Sequence, residues 1–176
     1  MVDIDLSKFF DRIHHDRLIA RMGQKITDKR ILRLVGIMLR SGVMINGVVN
    51  PSKEGAMQGG PLSPLLSNIV LDELDQELEK RGLEFCRFAD DCNIFVKSQK
   101  AAERVMETIS RFIEKKLKLK VNQDKSKVAL SDKVKFLGFT VVNGTIAIVH
   151  KALQTAMDKV KALTPRGTVN LFSTPS

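Results

Sequence analysis

Two adjacent acids, Asp90 and Asp91, lie between strand-forming apolar residues in the stretch RFADDCNIFV, and Asp5 ends a similar apolar segment near the N-terminus. If the two segments are neighbouring strands, the three carboxylates converge, and carboxylates that share a partly dry site repel one another strongly. Divalent cations neutralise such a set. Oxygen-only ligands favour hard ions such as Mg²⁺, which keep waters and accept substrate phosphates as further ligands. A pair of such ions promotes phosphoryl transfer, so the acids indicate a metal site for that chemistry.

A plain turn is the competing interpretation of Asp90-Asp91, because Asp readily hydrogen-bonds its own backbone in turns. The apolar residues on both sides of the pair and the second acid-bearing strand favour the metal site. Residue types and spacing alone carry the interpretation no further.

The elements that position these acids are predicted from hydrophobic periodicity. The segment 2–6 alternates as a buried strand, and a strand pair flanks the two acids. Apolar residues at helical spacing predict helices that end at Gly23, Gly42, Gly82 and before Pro165, with another over 102–113. Asn46-Gly47 and Asn143-Gly144 predict hairpin turns, and KVKFLGFTVV is strand-like. Antiparallel hairpins with helices packed on one face make an α+β domain.

Composition narrows the class of protein. The 176 residues include 29 Lys plus Arg against 20 Asp plus Glu, a net charge of +9 with a pI near 9.7, which favours a polyanionic partner such as nucleic acid. The absence of Trp and Tyr argues against a module that holds single strands by aromatic stacking. Two cysteines fit reduced thiols better than a disulfide scaffold or a zinc site. Without a signal layout or a membrane-length apolar run, we expect a cytoplasmic protein.

Four sequence blocks, taken in order, resemble the palm of a reverse transcriptase of the bacterial group II intron (retron-type, maturase-associated) class. They are DIDLSKFFDRI at 3–13, QGGPLSPLLSNIVLDELD at 58–75, FADD at 88–91 and KFLGF at 135–139. Each short block is a weak signal, whereas the long second block is specific and the shared order argues against chance. The resemblance covers about residues 2–163 and implies a polymerase palm-like fold.

The resemblance implies a catalytic and metal-binding set made of Asp5, Asp90 and Asp91, with Leu6 as a further metal-site residue. Asp3 lies on the same strand face as Asp5 by alternation. We interpret it as a helper or an ion-pair partner and not as a metal ligand.

Two further residues have implied roles and open alternatives. Lys125, in VNQDKSK, resembles a lysine that lies near the leaving pyrophosphate and serves as a general acid; a solvated basic turn is the alternative. Phe10 resembles the ring that collides with a ribose 2′-hydroxyl and so selects deoxynucleotides; an ordinary core aromatic is the alternative.

Binding residues are implied around two of the blocks. Gln58, Gly59 and Gly60, together with Phe10, are predicted to bind the incoming nucleotide, since paired glycines let the backbone approach a ligand closely. The primer terminus is assigned to Phe88, Leu137 and Gly138. The family usually has Tyr where this chain has Phe88, so the ring packing is kept and one polar contact is lost.

The implied activity is that of an RNA-directed DNA polymerase. A primer 3′-hydroxyl attacks the α-phosphate of a dNTP and pyrophosphate leaves, with two Mg²⁺ ions as cofactor and Mn²⁺ as a substitute. The implied partners are an RNA template, a DNA primer and group II intron RNA. Two alternatives stay open: an RNA-binding maturase-type module that assists splicing, and a defence-type bacterial reverse transcriptase.

The resemblance also implies a domain division. We expect the palm over residues 1–149, the start of a thumb helix over 150–163 and a loose tail over 164–176. The family's fingers blocks and most of its thumb find no match in the sequence. We therefore expect these residues alone to be inactive or nearly so, and to bind metal weakly.

Overall fold

The computed structural model describes residues 1–41, 43–45, 48–50, 54–56, 60–142 and 144–164. The chain divides into two compact units, Met1–Ala129 and Leu130–Ser176. The predicted boundaries at 149 and 163 stay predictions. The proposed turn at Asn46-Gly47 and nearly all of the predicted tail lie outside the described residues.

An antiparallel sheet forms the centre of the first unit. Its strands stand in the order β4-β5-β1-β6, and they are β1 (Val2–Ile4), β4 (Glu84–Phe88), β5 (Asp91–Phe95) and β6 (Lys127–Val128). A separate hairpin joins β2 (Val43–Ile45) and β3 (Val48–Asn50). The N-terminal amine donates to the Ala129 carbonyl at 2.9 Å, which fixes the start of β1 beside the end of β6.

The two central strands alternate as their sequences predict. Val2 and Ile4 on β1, and Cys92 and Ile94 on β5, are buried in the apolar core, while Asp3 lies on the opposite face of β1. Helices α3 (Ser63–Lys80) and α4 (Gln99–Phe112) contact the sheet. They complete the core with Leu71, Leu74, Leu78, Ala102 and Ile109. This confirms the predicted α+β fold, an antiparallel sheet with helices against it.

Two shorter helices follow β1 in the chain. Helix α1 spans His15–Gly23 and α2 spans Lys29–Arg40. The sequence predicts Thr27 or Asp28 as the N-cap of α2, and the Asp28 side chain is the one that accepts, from the Arg30 backbone N–H at 2.8 Å. On α1, Arg21 forms ion pairs with Asp72 and Glu73 of α3. Ion pairs as well as packing in the core therefore hold these two helices together.

The second unit contains a hairpin and a helix. Strand β7 (Phe139–Val142) pairs with β8 (Thr145–Ile148), and α5 spans His150–Leu163. The strand predicted across KVKFLGFTVV begins only at Phe139. Before it, Leu137 and Gly138 have φ of 51° and 83° and form a tight turn, which Phe136 and Phe139 close with two backbone bonds of 2.8 Å. No helix in the described part of the chain is long and apolar enough to cross a membrane.

Candidate active site

The sheet brings the N-terminal acid and the acid pair to one edge. Strand β1 runs antiparallel to β5 with Asp3 opposite Asn93 and Ile4 opposite Cys92. Asp5 directly follows the last paired residue of β1, and Asp91 is the first residue of β5, so the two acids lie at the same end of this strand pair. The strands are therefore neighbours, as the acid-bearing segments predicted.

A two-residue turn carries the acid pair. Phe88 and Asp91 close the β4–β5 hairpin as its last paired residues, so Ala89 and Asp90 form the turn between them. Ala89 has φ of 53°, a left-handed conformation that costs a residue with a Cβ about 1–2 kcal/mol. The turn interpretation and the site interpretation of Asp90-Asp91 are thus compatible, since Asp90 belongs to the turn and Asp91 to the strand.

The acids at this edge act on one another electrostatically. Burial raises the pKa of Asp91 from 3.8 to about 6, and the negative charges of Asp3, Asp90 and Asp5 add to the rise. The pKa of Asp3 is also raised, first by burial and then by Asp5, against the opposing effect of Lys127. A carboxyl group whose pKa is raised as far as that of Asp91, to about 6, is typical of a functional site.

Two lysines lie beside the acids. Lys125 Nζ is 3.8 Å from Asp5 Oδ2, and Lys127 Nζ is 3.9 Å from Asp3 Oδ2. The second pair matches the predicted ion-pair role of Asp3. The Lys125 side chain is 70% exposed, so it is both a solvated turn residue and a cation next to the predicted catalytic acid. Its role as a general acid stays a prediction.

Arg87 is a positioning residue that the sequence analysis did not single out. Its guanidinium binds Asp75 of α3 through two bonds, 2.7 Å to Oδ1 and 2.5 Å to Oδ2. It also donates to the Asn68 side chain at 3.1 Å and to the Ala89 carbonyl at 2.8 Å. Arg87 therefore ties the acid-bearing turn to α3 instead of neutralising Asp90. The signal for this role in the sequence was the charge of Arg87 at an alternating position of β4.

The donor set fits a metal bound mainly through substrate and water. Among the described residues, no three His, Cys, Asp or Glu side chains are arranged to hold a metal ion. Asp5, Asp90 and Asp91 nevertheless offer only carboxylate oxygens, and Mg²⁺ is commonly bound by one or two carboxylates plus substrate phosphates. Leu6, the other predicted metal-site residue, has a buried side chain, and its backbone bridges to Val121.

Phe10 lies at the boundary between core and surface. The neighbouring Phe9 is buried, and the two rings meet edge to face with centroids 5.1 Å apart. The Phe10 carbonyl accepts from the Ala56 N–H at 2.7 Å, and Gly55 packs so closely that a Cβ there would lie 3.2 Å from the same carbonyl. Phe10 is thus held by the segment that leads into the glycine-rich block.

The other predicted binding residues are only partly described. Gln58 and Gly59 lie outside the described residues. Gly60 stands before α3, and its carbonyl accepts from the Ser63 N–H at 3.1 Å. Phe88 is 60% exposed, which leaves its ring free to pack against a ligand. Leu137 and Gly138 form the turn of the second unit, with Leu137 exposed.

Comparison with known proteins identifies relatives in sequence and in fold. The chain is 32% identical to the protein YkfC of Escherichia coli (strain K12), over 81% of this chain and 46% of that protein. It is 26% identical to the group II intron-encoded protein LtrA of Lactococcus lactis subsp. cremoris, over 97% of this chain and 39% of that protein. The chain therefore spans less than half the length of either relative.

The fold is similar to that of telomerase. The structure of telomerase from Candida albicans in complex with a fragment of telomeric RNA matches 92% of this chain and 35% of its own, with a TM-score of 0.66 at 16% identity. That likeness concerns the fold alone. Residues 1–141 match the reverse transcriptase (RNA-dependent DNA polymerase) family, which is well over half of the chain. The match includes β1, the acid-bearing hairpin and the Lys125 turn, and the chain belongs to the reverse transcriptase family.

Proposed function

We propose that this chain is the catalytic palm of an RNA-directed DNA polymerase. The observation that carries the proposal is the position of Asp5 and Asp91 at the same end of the paired strands β1 and β5, with the pKa of Asp91 raised to about 6 by burial and by the carboxylates of Asp3, Asp90 and Asp5. The site is electrostatically incomplete, because burial and the neighbouring carboxylates destabilise the charge on Asp91. The reaction that completes it is nucleotidyl transfer, in which cations and phosphates enter together.

Each group has a part in this proposal. Asp5, Asp90 and Asp91 would supply carboxylate oxygens to Mg²⁺, for which Mn²⁺ is a substitute, with waters and substrate phosphates as the further ligands. When bound, the metal lowers the pKa of the attacking hydroxyl and stabilises charge on the phosphate. Lys125, whose ammonium lies 3.8 Å from the Asp5 carboxylate, would donate a proton to the departing pyrophosphate as a general acid.

The substrate side of the proposal uses the remaining residues. Phe10 flanks the sugar of the incoming dNTP and discriminates against a 2′-hydroxyl. The exposed ring of Phe88 packs against the end of the primer. The net charge of +9 attracts the phosphates of an RNA template and a DNA primer, and this attraction falls steeply as salt rises.

Primer extension tests this function directly. The natural-length protein is given a DNA primer annealed to an RNA template or to a DNA template of the same sequence, with Mg²⁺ and the four dNTPs. We expect extension on the RNA template that stops when Mg²⁺ is chelated. Absence of extension on either template, by a protein that still binds the primer–template, would contradict the proposal. The 176 residues alone are expected to extend poorly.

A second proposed function is binding of group II intron RNA. The similarity to LtrA over 97% of this chain favours it, because that relative is encoded by a group II intron. Affinity for a group II intron RNA and for an unrelated folded RNA of equal length is measured at several salt concentrations. Tighter intron binding that persists at high salt supports it. Equal affinities with equal salt slopes would leave only general electrostatic attraction.

A further inference from the structure

The strand pairing beside Asp5 contains a break in register. Val2 of β1 stands opposite Val128 of β6, whereas Leu6 stands opposite Val121. Four steps along β1 are thus matched by seven along its partner, so extra residues are inserted opposite Asp5. They form a turn, in which the Ser126 N–H donates to the Asn122 carbonyl at 2.9 Å. Insertions of this kind beside active sites re-aim a side chain.

A side chain takes the place of the missing backbone partner. The Asp5 N–H donates to the Ser126 hydroxyl oxygen at 3.0 Å, and the same hydroxyl donates to the Asp5 carbonyl at 3.3 Å. The Asn122 N–H also donates to that carbonyl, at 2.9 Å. Both polar backbone groups of Asp5 are therefore satisfied by one turn, and one hydroxyl serves both of them.

The same turn carries the lysine of the site. Lys125 immediately precedes Ser126, and its ammonium lies 3.8 Å from the Asp5 carboxylate. Because this lysine is mostly exposed, its ion pair with Asp5 is too weak to fix the turn by itself. The hydrogen bonds of Ser126, together with the one from the Asn122 N–H to the Asp5 carbonyl, hold the turn, and with it Lys125, against Asp5.

We propose that Ser126 is a positioning residue that sets the backbone of Asp5 and the Lys125 turn in one fixed arrangement. The proposal rests on the proposed function, since it assigns Ser126 to the same site. A hydroxyl group is required, because it must accept from an N–H and donate to a C=O at the same time. Threonine keeps that ability, and alanine loses both bonds. A group that orients a residue of the site in this way typically contributes about 10- to 100-fold to activity.

Four variants of the natural-length protein test the proposal. They are Ser126→Ala, Ser126→Thr, Asp5→Asn and the control Ser98→Ala. Ser98 caps α4 by accepting from the Ala101 N–H at 3.2 Å, so its loss also removes a serine-to-backbone bond, at a place away from the acids. We expect Ser126→Ala to lower kcat about 10- to 100-fold with KM for dNTP unchanged. Ser126→Thr should restore kcat, and Ser98→Ala should leave it unchanged.

Hydrogen exchange supplies a readout that does not depend on activity. In Ser126→Ala the Asp5 amide loses its acceptor and should exchange faster, while in Ser98→Ala its exchange should stay as in the wild type. Unchanged Asp5 exchange in Ser126→Ala, or an equal loss of kcat in Ser126→Ala and Ser98→Ala, would overturn the role of Ser126. Full activity in Asp5→Asn would instead overturn the proposed function, so the two failures are distinguishable.

Discussion

Replacing Asp91 by Asn should stabilise the protein at neutral pH. The carboxyl group of Asp91 is half-buried, and the carboxylates of Asp3, Asp90 and Asp5 surround it with like charge. Asparagine has nearly the same shape and carries no charge. The substitution therefore removes an electrostatic cost that the folded protein bears whenever Asp91 is ionised. Stability gained at a functional site is the expected counterpart of lost activity.

The pKa of Asp91 sets the size and the sign of the effect. Its rise from 3.8 to about 6 in the folded protein corresponds to about 3 kcal/mol at about 1.4 kcal/mol per unit. Solvent screening of a half-exposed group reduces this to about 1–2 kcal/mol. Because the folded pKa is the higher one, stability from this group is fully present below about pH 4 and is lost as pH rises through about 6.

Urea unfolding at two pH values measures this directly. Asp91→Asn should exceed the wild type in free energy of unfolding by about 1–2 kcal/mol near pH 7, and by almost nothing near pH 4. Asp16→Asn, an exposed acid in the first turn of α1, serves as the control and should show little difference at either pH. A destabilised Asp91→Asn protein, or a gain of equal size at both pH values, would refute the reasoning.

Substitutions at Gly55, Arg87 and Phe10 test the supports of the site, with Gly82→Ala as the control for Gly55→Ala. Gly55→Ala should lower the free energy of unfolding by about 2–3 kcal/mol in urea, because Gly55 has φ of 93° and a Cβ there would lie only 3.2 Å from the Phe10 carbonyl, so that the backbone must shift to accommodate it. Gly82→Ala, with φ of 63° and open space around it, should lose only about 1 kcal/mol. Arg87→Met leaves Asp75 unpaired and should cost about 3 kcal/mol by thermal unfolding, with part recovered when Asp75→Asn is added; no recovery would count against the pair. Phe10→Val in the natural-length protein should raise ribonucleotide incorporation in a competition assay, and unchanged discrimination would return Phe10 to a core role.

Local chemistry made part of this structure predictable. The Asp28 cap depends on a side chain and an N–H two residues apart, and the alternation of Val2 and Ile4 is a property of β1 alone. The meeting of Asp5 and Asp91 could not be predicted from local chemistry, because two segments far apart in the sequence had to become neighbouring strands. The four ordered sequence blocks, through their resemblance to a reverse transcriptase palm, predict that these segments are neighbours, and the pairing of β1 with β5 confirms it.

The features that sequence analysis missed depend on tertiary packing. The bond of Arg87 to Asp75 joins a strand to a helix, and neither residue's own segment specifies that contact. The Ser126 contact arises from a register break, which an alternating pattern does not encode. The apolar neighbours of Leu137 predict a strand there, whereas the structure has a turn, in which the φ of 51° at Leu137 is unusual for a bulky side chain.

The rate of single-nucleotide incorporation by Asp5→Asn is the measurement that matters most. It is made with the natural-length protein on an RNA template with saturating dNTP and Mg²⁺, beside Asp16→Asn as a matched loss of one carboxylate. Primer–template binding by both variants is confirmed first. If Asp5 and Asp91 form the catalytic pair, Asp5→Asn incorporates no detectable nucleotide while Asp16→Asn keeps the wild-type rate. Incorporation by Asp5→Asn at the wild-type rate would show that the chemistry takes place elsewhere.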